Sequence, residues 1–392
     1  MSEKQNEMKK ITQIFLITVV VIAFGCSSCK EPIEPSNNTF TITDEVIDGI
    51  VYKKLEGIIN ENISLTSSDN WLLSGGVFVE EGHTLTILNG GTIYTDTDVT
   101  TFLSVMQGAK VFIEGSQDNP VVFTPLKDNP TYGDWGGIVV NGYASLNTGF
   151  TAEGEGGTGI YGGDDDNDDS GILRYVRVEY AGKILGTDNE LNGFSFNGVG
   201  DGTTVEYIQA YKGSDDGIEF FGGTVNVRYA VSTYNQDDSF DWTHGWKGKG
   251  QYWLAQQGPD GGDRGIEADN NSDDNLLEPY SNPILCNITL EGYDDGDSLN
   301  TGIRFREGTK GKVYNALITN FPKYGVRVSD EATLNNLTNG ELILSNSLVQ
   351  DNGTNFKDCD VFETLNLINE DTWFDIDQTI GCDNYWTEGW TK

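Results

Sequence analysis

The sequence predicts an all-β fold, a right-handed parallel β-helix with a C-terminal cap, and three observations predict it. The first is composition: 49 Gly and 9 Pro, with frequent Asn and Asp, call for many tight turns, while 18 Phe, 17 Tyr and 8 Trp suffice for a long core. The second is local pattern. From about residue 70, short β-branched and aromatic runs alternate with Gly, Asp and Asn turns, and no amphipathic 3.6-residue pattern exceeds two turns. The third is repetition. GFSF (193–196), GIEF (217–220), SFDW (239–242), GIEA (265–268), GIRF (302–305) and GVRV (325–328) place apolar residues at Phe194, Ile218, Phe240, Ile266, Ile303 and Val326, in steps of 24, 22, 26, 37 and 23.

A second series, YVRVEY, YIQAY, YAVSTY, NITLEGY, NALITNF and NSLVQDN, interleaves with the first at the same period. Two interleaved series with one period describe a coil of several strands, each stacked on its equivalent about 4.8 Å away. The long step of 37 places an insertion around NNSDDNLLEPYSNP. A propeller fits less well, because its blades are longer and its strands antiparallel.

Along the chain, residues 1–25 read as a lipoprotein signal peptide. A basic start (MSEKQNEMKK) precedes the apolar run ITQIFLITVVVIAFG, which is short for a membrane span. AFGCSSCK then offers Cys26, after Gly25, for acylation, with Cys29 as the alternative. This pattern predicts a lipid anchor in a bilayer. Residues 26–65 read as tether and first strands, 66–355 as the helix, and 356–392, where the rhythm breaks, as a cap over the last coil, since an open strand edge invites aggregation. No later segment is apolar enough to span a membrane.

The formal charge is −37. That field repels phosphate backbones and excludes nucleic acid as a partner, while it favours Ca²⁺, which takes oxygen ligands. Cys359 and Cys382 are expected to pair in an oxidising compartment, and Cys286, in an apolar run, to be buried. Two histidines, His83 and His244, are too few for a histidine metal cluster, and neither lies in a nucleophile motif.

GGVFVEEGHTLTILNGGTIYT, GAKVFIEGSQDNPVVFTP, GDWGGIVVNG, SGILRYVRVEYAG, DNELNGFSFNGVGDGTTVEYIQAYKGSDDGIEFFGGTVNVRYA and the closing WTEGWT together resemble a family of secreted or lipid-anchored bacterial β-helix proteins. That family is most common in Bacteroidetes-type bacteria, and a related outer-membrane lipoprotein family occurs in spirochaetes. The resemblance covers roughly residues 70–392. It implies a pectin-lyase-like fold, an outer-membrane and cell-surface location and, in some members, association with a TonB-dependent transport barrel. It brings no agreed catalytic residues.

With Ile218 and its equivalents pointing inward, the next residue of each rung points outward. That column reads Ser195, Glu219, Asp241, Glu267, Arg304, Arg327. Stacked acids repel, so Glu219, Asp241 and Glu267 are expected to hold Ca²⁺. The competing reading is an ordinary polar outer face, with Arg304 neutralising Glu267. An enzyme alternative, similar in logic to β-helix pectate lyases, makes Glu219, Asp241 and Arg304 the catalytic set of a Ca²⁺-dependent polysaccharide lyase. A glycoside hydrolase reading compares SDDGIEF with polygalacturonases through Asp188, Asp215, Asp216 and His244. The pairs Asp215-Asp216 and Asp237-Asp238, one coil apart, read first as stacked turns. GGDDDNDDSG offers a further calcium loop through Asp164, Asp166 and Asp168, without the Gly and late Glu of an EF-hand. Trp246, Tyr252 and Trp253 are the residues expected to stack on an extracellular glycan. Trp135, in GDWGG, is expected to pack at a coil corner. The function expected is non-catalytic binding of a ligand, or service to an outer-membrane transporter.

Overall fold

A computed structural model describes residues 39–186, 189–294, 300–359, 373–374, 380–382 and 384–392. Residues 1–25, read above as a signal peptide, together with Cys26, Cys29 and Asp188, lie outside the described residues. Among the described residues, twenty-five strands join in one hydrogen-bonded array, parallel except at its start, where Thr41–Ile47 runs antiparallel to Ile50–Ile59. The coil thus begins earlier than residue 66, for Gly57 already pairs with Val77 on the next rung.

The expected ladder is present in register. Phe194 pairs with Ile218, Ile218 with Phe240, Phe240 with Ile266, Ile266 with Ile303 and Ile303 with Val326. Toward the N-terminus it continues through Ile138, Leu103 and Val77, and toward the C-terminus it ends at Phe356. From Phe194 to Val326 every rung is at most 1% exposed, so each contributes about 1.5–3 kcal/mol of burial. The middle coils are filled by aromatics: Phe220 stacks on Trp246 at 4.2 Å, and Phe240 on Trp253 at 4.6 Å. The insertion behind the long step lies between the strand ending at Ala268 and the one starting at Ile284. Trp135 is fully buried, donates its indole N–H to the Glu179 carbonyl at 2.8 Å and stacks on Phe123.

A second regularity explains how each coil turns. Tyr175, Tyr207, Tyr229 and Tyr252 occupy equivalent places on successive coils, all with φ between 53° and 59°, and Asn287, Asn315 and Asn346 continue the series. A left-handed residue breaks the alternation within each long strand and swings the chain onto a new face. Asn tolerates that conformation; tyrosine does not, at a cost of about 1–2 kcal/mol per residue. The tyrosine rings offset it by stacking at 4.3, 4.2 and 5.0 Å, worth about 0.5–1.5 kcal/mol per pair.

Of residues 356–392, Phe356 and Lys357 form the last rung on Val326 and Arg327, and the described residues 380–382 and 384–392 lie along the side of the helix. Gly381 bonds to Asn315 and Asn287, Trp390 reaches Arg177, and Lys392 exchanges bonds with Gln209. The tyrosine ladder is the cause: Trp390 packs edge-on against Tyr175 and Tyr207, and Trp386 against Tyr229, which buries both indoles. Cys359 and Cys382 are not disulfide-bonded. Cys382 docks with this segment against Thr289 and the Trp253 carbonyl, whereas Cys359 follows the last rung and reaches the Lys357 carbonyl. Cys286 is 7% exposed, as expected of a buried thiol.

Candidate functional site: an acidic groove on the outer ladder

Three successive coils carry the same five-residue pattern: Asp215-Asp216-Gly217-Ile218-Glu219, Asp237-Asp238-Ser239-Phe240-Asp241 and Asp263-Arg264-Gly265-Ile266-Glu267. The fourth residue of each is a core rung, so alternation turns the fifth outward. Register places Ser195, Glu219, Asp241, Glu267, Arg304 and Arg327 in one column, and Lys357 extends it. Three acids are followed by three bases. Glu267 meets Arg304 at 3.5 Å across the long insertion, and Arg306 at 3.0 Å.

The two aspartates ahead of each rung belong to the same site. Asp216 accepts the Asp238 backbone N–H at 2.9 Å, and Asp238 accepts that of Arg264 at 2.7 Å. That is the stacked-turn role expected of them. Yet they also converge with the outward column: Asp216, Glu219 and Asp241 bring carboxylate oxygens within 4.8 Å of one another, and so do Asp238, Asp241 and Glu267. The turn role engages only part of each carboxylate, so turn and groove are compatible. Together these residues, with Asp215, Asp237 and Arg264, line a cavity of about 250 Å³.

Two inserted segments complete it. Glu155 comes from the short 3₁₀ turn Glu155–Gly157 and Glu190 from the strand Asn189–Glu190; the two insertions are tied by the Gly156 N–H to Asn189 at 2.8 Å. Neither glutamate was marked by the repeat, because both stand outside it.

The electrostatics are one-sided. Among the described residues, no Lys or Arg forms an ion pair with Asp215, Asp216, Glu219, Asp237 or Asp241; Arg264 pairs with Asp238 and Glu267 instead. Glu219 has a neutral partner, the Asn192 amide at 2.6 Å. Among the described residues, Asp241 Oδ1 has no hydrogen-bond partner, and it is sealed from solvent. Burial, reinforced by neighbouring acids, raises the carboxyls of Asp216, Glu219, Asp238 and Asp241 well above their ordinary range. The same causes push Asp215 to about 8 and Glu155 to about 7. Glu267 reaches about 7, raised by burial and Asp269 and held back by Arg264, Arg306 and Arg304. A cluster of this kind takes protons or a cation. Its donors are all hard oxygens, with neither imidazole nor thiolate, and such a set fits Ca²⁺ rather than zinc.

Other expected site residues lie elsewhere. Trp246 and Trp253 are 0% exposed, so neither offers a face to a sugar. Gly and Lys neighbours suggested exposure for Trp246, but left-handed His244 and Gly245 turn the chain there, and Trp246 stacks inside on Phe220. Tyr252 is half-buried at the end of the tyrosine ladder. The three acids of the expected calcium loop face different partners: Asp164 is exposed, Asp166 binds Ser145 and Lys247, and Asp168 is buried against Ser170. Burial acts upward on Asp166, but Lys247 and Ser145 outweigh it and hold that carboxyl below its ordinary value. His244 faces Tyr161 and Phe221 and is absent from the groove lining, which removes the basic residue from the hydrolase comparison. Arg304 stands at the groove's edge, near Glu267 and Ser329.

The model of the pectate-lyase-like β-helix domain family matches residues 57–391. No curated protein and no solved structure matches the chain. The match begins inside the strand Ile50–Ile59, whose residues Lys53–Leu55 and Gly57–Ile59 pair in parallel with the strand Trp71–Val79. The chain belongs to the pectate-lyase-like β-helix domain family.

Proposed function

We propose that this chain is a lipid-anchored, cell-surface β-helix of the outer membrane whose acidic groove binds a divalent cation, calcium, without catalysing a reaction. Through that cation it recruits an extracellular anionic ligand, a glycan or the loops of a transport barrel. The observation that carries the reading is the convergence of Asp215, Asp216, Glu219, Asp237, Asp238, Asp241 and Glu267 on one cavity. Anchoring is supported by the apolar run ending at Gly25-Cys26. Calcium should raise the melting temperature of the chelated protein, and Glu219→Gln should remove most of that rise. An unchanged melting curve would reject the groove as a cation site. Labelled palmitate should enter the wild-type chain and not Cys26→Ser.

One observation favours a second reading. Carboxyls held protonated at neutral pH, such as Asp215, are suited to general-acid work on an acidic polysaccharide. Calcium-dependent release of unsaturated or reducing ends from polyuronides, abolished by Glu219→Gln, would establish a lyase or hydrolase and displace the binding reading.

A further inference from the structure

The hairpin at the start of the array exposes apolar side chains on both of its faces. Thr41–Ile47 and Ile50–Ile59 pair through Val46–Val51 and Ile47–Ile50 next to the turn at Asp48-Gly49. Both turn residues are left-handed, with φ of 51° and 81°, as a tight two-residue hairpin turn requires. Ile50–Ile59 meets the wall strand Trp71–Val79 from Lys53 onward, so residues 46–51 project past the wall. The Asn70 amide donates to the Val51 carbonyl at 3.2 Å and holds the base of the projection. Val46 is 66% exposed, Val51 49% and Ile50 48%.

Alternation sends Val46 and Val51 to one face of the hairpin, and Ile47 and Ile50 to the other. Behind them the strands turn charged: Asp44 pairs with Lys53 at 2.6 Å, and Glu45 with Lys54 at 3.5 Å. The projection is thus an apolar tip, two pairs deep, closed off by a charged belt. Two pairs and the turn, at about 3.4 Å per residue, make about 7–10 Å, which matches the depth to which apolar faces enter the headgroup and acyl-chain boundary of a bilayer.

The geometry also selects among occupants. A tip that is apolar on both faces needs an occupant that surrounds it. Among the described residues Thr41–Ile47 pairs with Ile50–Ile59 alone, but a second copy on its free edge would extend the sheet and cover neither face. Two chains of charge −37 also repel each other. The tether supplies proximity to a membrane. The thirteen residues after Cys26 that lead to Thr39 span at most about 45 Å, and the strand Thr41–Ile47 adds about 23 Å. A chain acylated at Cys26 keeps this hairpin within reach of its own bilayer.

We infer that Val46, Ile47, Ile50 and Val51 form a membrane-docking tip that enters the headgroup boundary of the bilayer holding the anchor. The inference rests on the proposed lipid anchor and adds a second attachment, which keeps the first coil at the membrane and the acidic groove, several coils on, clear of it. Asp48 is the tip's one charge and limits the depth of entry, because a carboxylate stays where it keeps its water.

The test uses the acylated protein extracted from membranes and reconstituted into phosphatidylcholine vesicles with plain or brominated acyl chains. Val46→Trp and Ile50→Trp report the two faces of the tip. Leu276→Trp and Leu348→Trp report exposed apolar positions elsewhere. Emission from the tryptophan added at position 46 or 50 should fall at least about twofold in brominated vesicles, as an apolar face at the acyl boundary would. The two control variants should not change. Val46→Asp should abolish the quenching seen in Ile50→Trp, whereas Asp48→Asn, which suits the same turn, should deepen it. If one hairpin variant fails to fold, the other still decides. No quenching at either position, in protein that takes up palmitate and floats with the vesicles, overturns the docking and leaves the anchor standing. A blue shift there without quenching assigns the tip to a protein partner, a second copy included, and also overturns it. Equal quenching of all four variants overturns it too, because the hairpin is then not singled out. A wild type that takes up no palmitate and does not float overturns both readings.

Discussion

Chelated and taken from pH 5.5 to pH 8.5, the protein should lose stability. Asp215, Glu155 and Glu267 hold their protons more tightly folded than unfolded, with folded values of about 8, 7 and 7. A carboxyl raised on folding contributes stability that is fully present below its unfolded value and is lost as pH rises through its folded value. The loss therefore falls between about pH 5 and pH 8. Between pH 5.5 and its folded value of about 8, Asp215 alone loses about 3–4 kcal/mol at about 1.4 kcal/mol per pH unit. These groups face one another and titrate as a set, so the same order serves for the whole groove. At roughly 2 cal/mol/K per residue, a loss of that order lowers the melting temperature of a domain of this size by about 5 °C. Melting curves by circular dichroism in chelator, at constant ionic strength, read the slope directly. Excess calcium should flatten it, as should Glu219→Gln combined with Asp241→Asn. A melting temperature that stays level or rises with pH in chelator would refute the claim that these carboxyls are buried together without a compensating base.

Further outcomes follow from the core and the tail. Phe220→Ala, which removes a ring stacked on Phe196, Trp246 and Trp253, should cost about 3–5 kcal/mol in urea unfolding. Trp246→Ala should cost a similar amount, and any effect on glycan binding should track unfolding rather than appear in the folded protein. Trp390→Ala should release the C-terminal segment from the tyrosine ladder, read as faster proteolysis near residue 380, with calcium affinity unchanged. Reducing agent should leave the melting temperature unchanged, because Cys359 and Cys382 form no disulfide with each other.

The ladder was legible because it needs only one apolar residue per coil followed by one outward residue. Both could be read at Ile218-Glu219 and again at Phe240-Asp241. The early coils were harder to align, since Gly57, Val77, Leu103 and Ile138 are unequally spaced and the turns between them differ. The groove was half legible. Its floor followed from alternation, but the second role of Asp216 and Asp238 depends on how a turn aims the rest of a carboxylate whose first bond is to backbone. Glu155 and Glu190 could not be read at all, because insertions bring them in from outside the repeat. Trp246 misled because its Gly and Lys neighbours describe a surface, whereas two left-handed residues in sequence describe a chain turning inward. The tyrosine series was visible as a repeat, but its left-handed backbone is a property of the coil's bend and not of tyrosine.

The most direct test of the central claim is a crystal structure of the protein grown with calcium. The account predicts an ion held by carboxylate oxygens of the acidic groove, among them Glu219 and Asp241, about 2.3–2.6 Å away. Water alone among the groove carboxylates, at a calcium concentration that saturates any binding in solution, would contradict it.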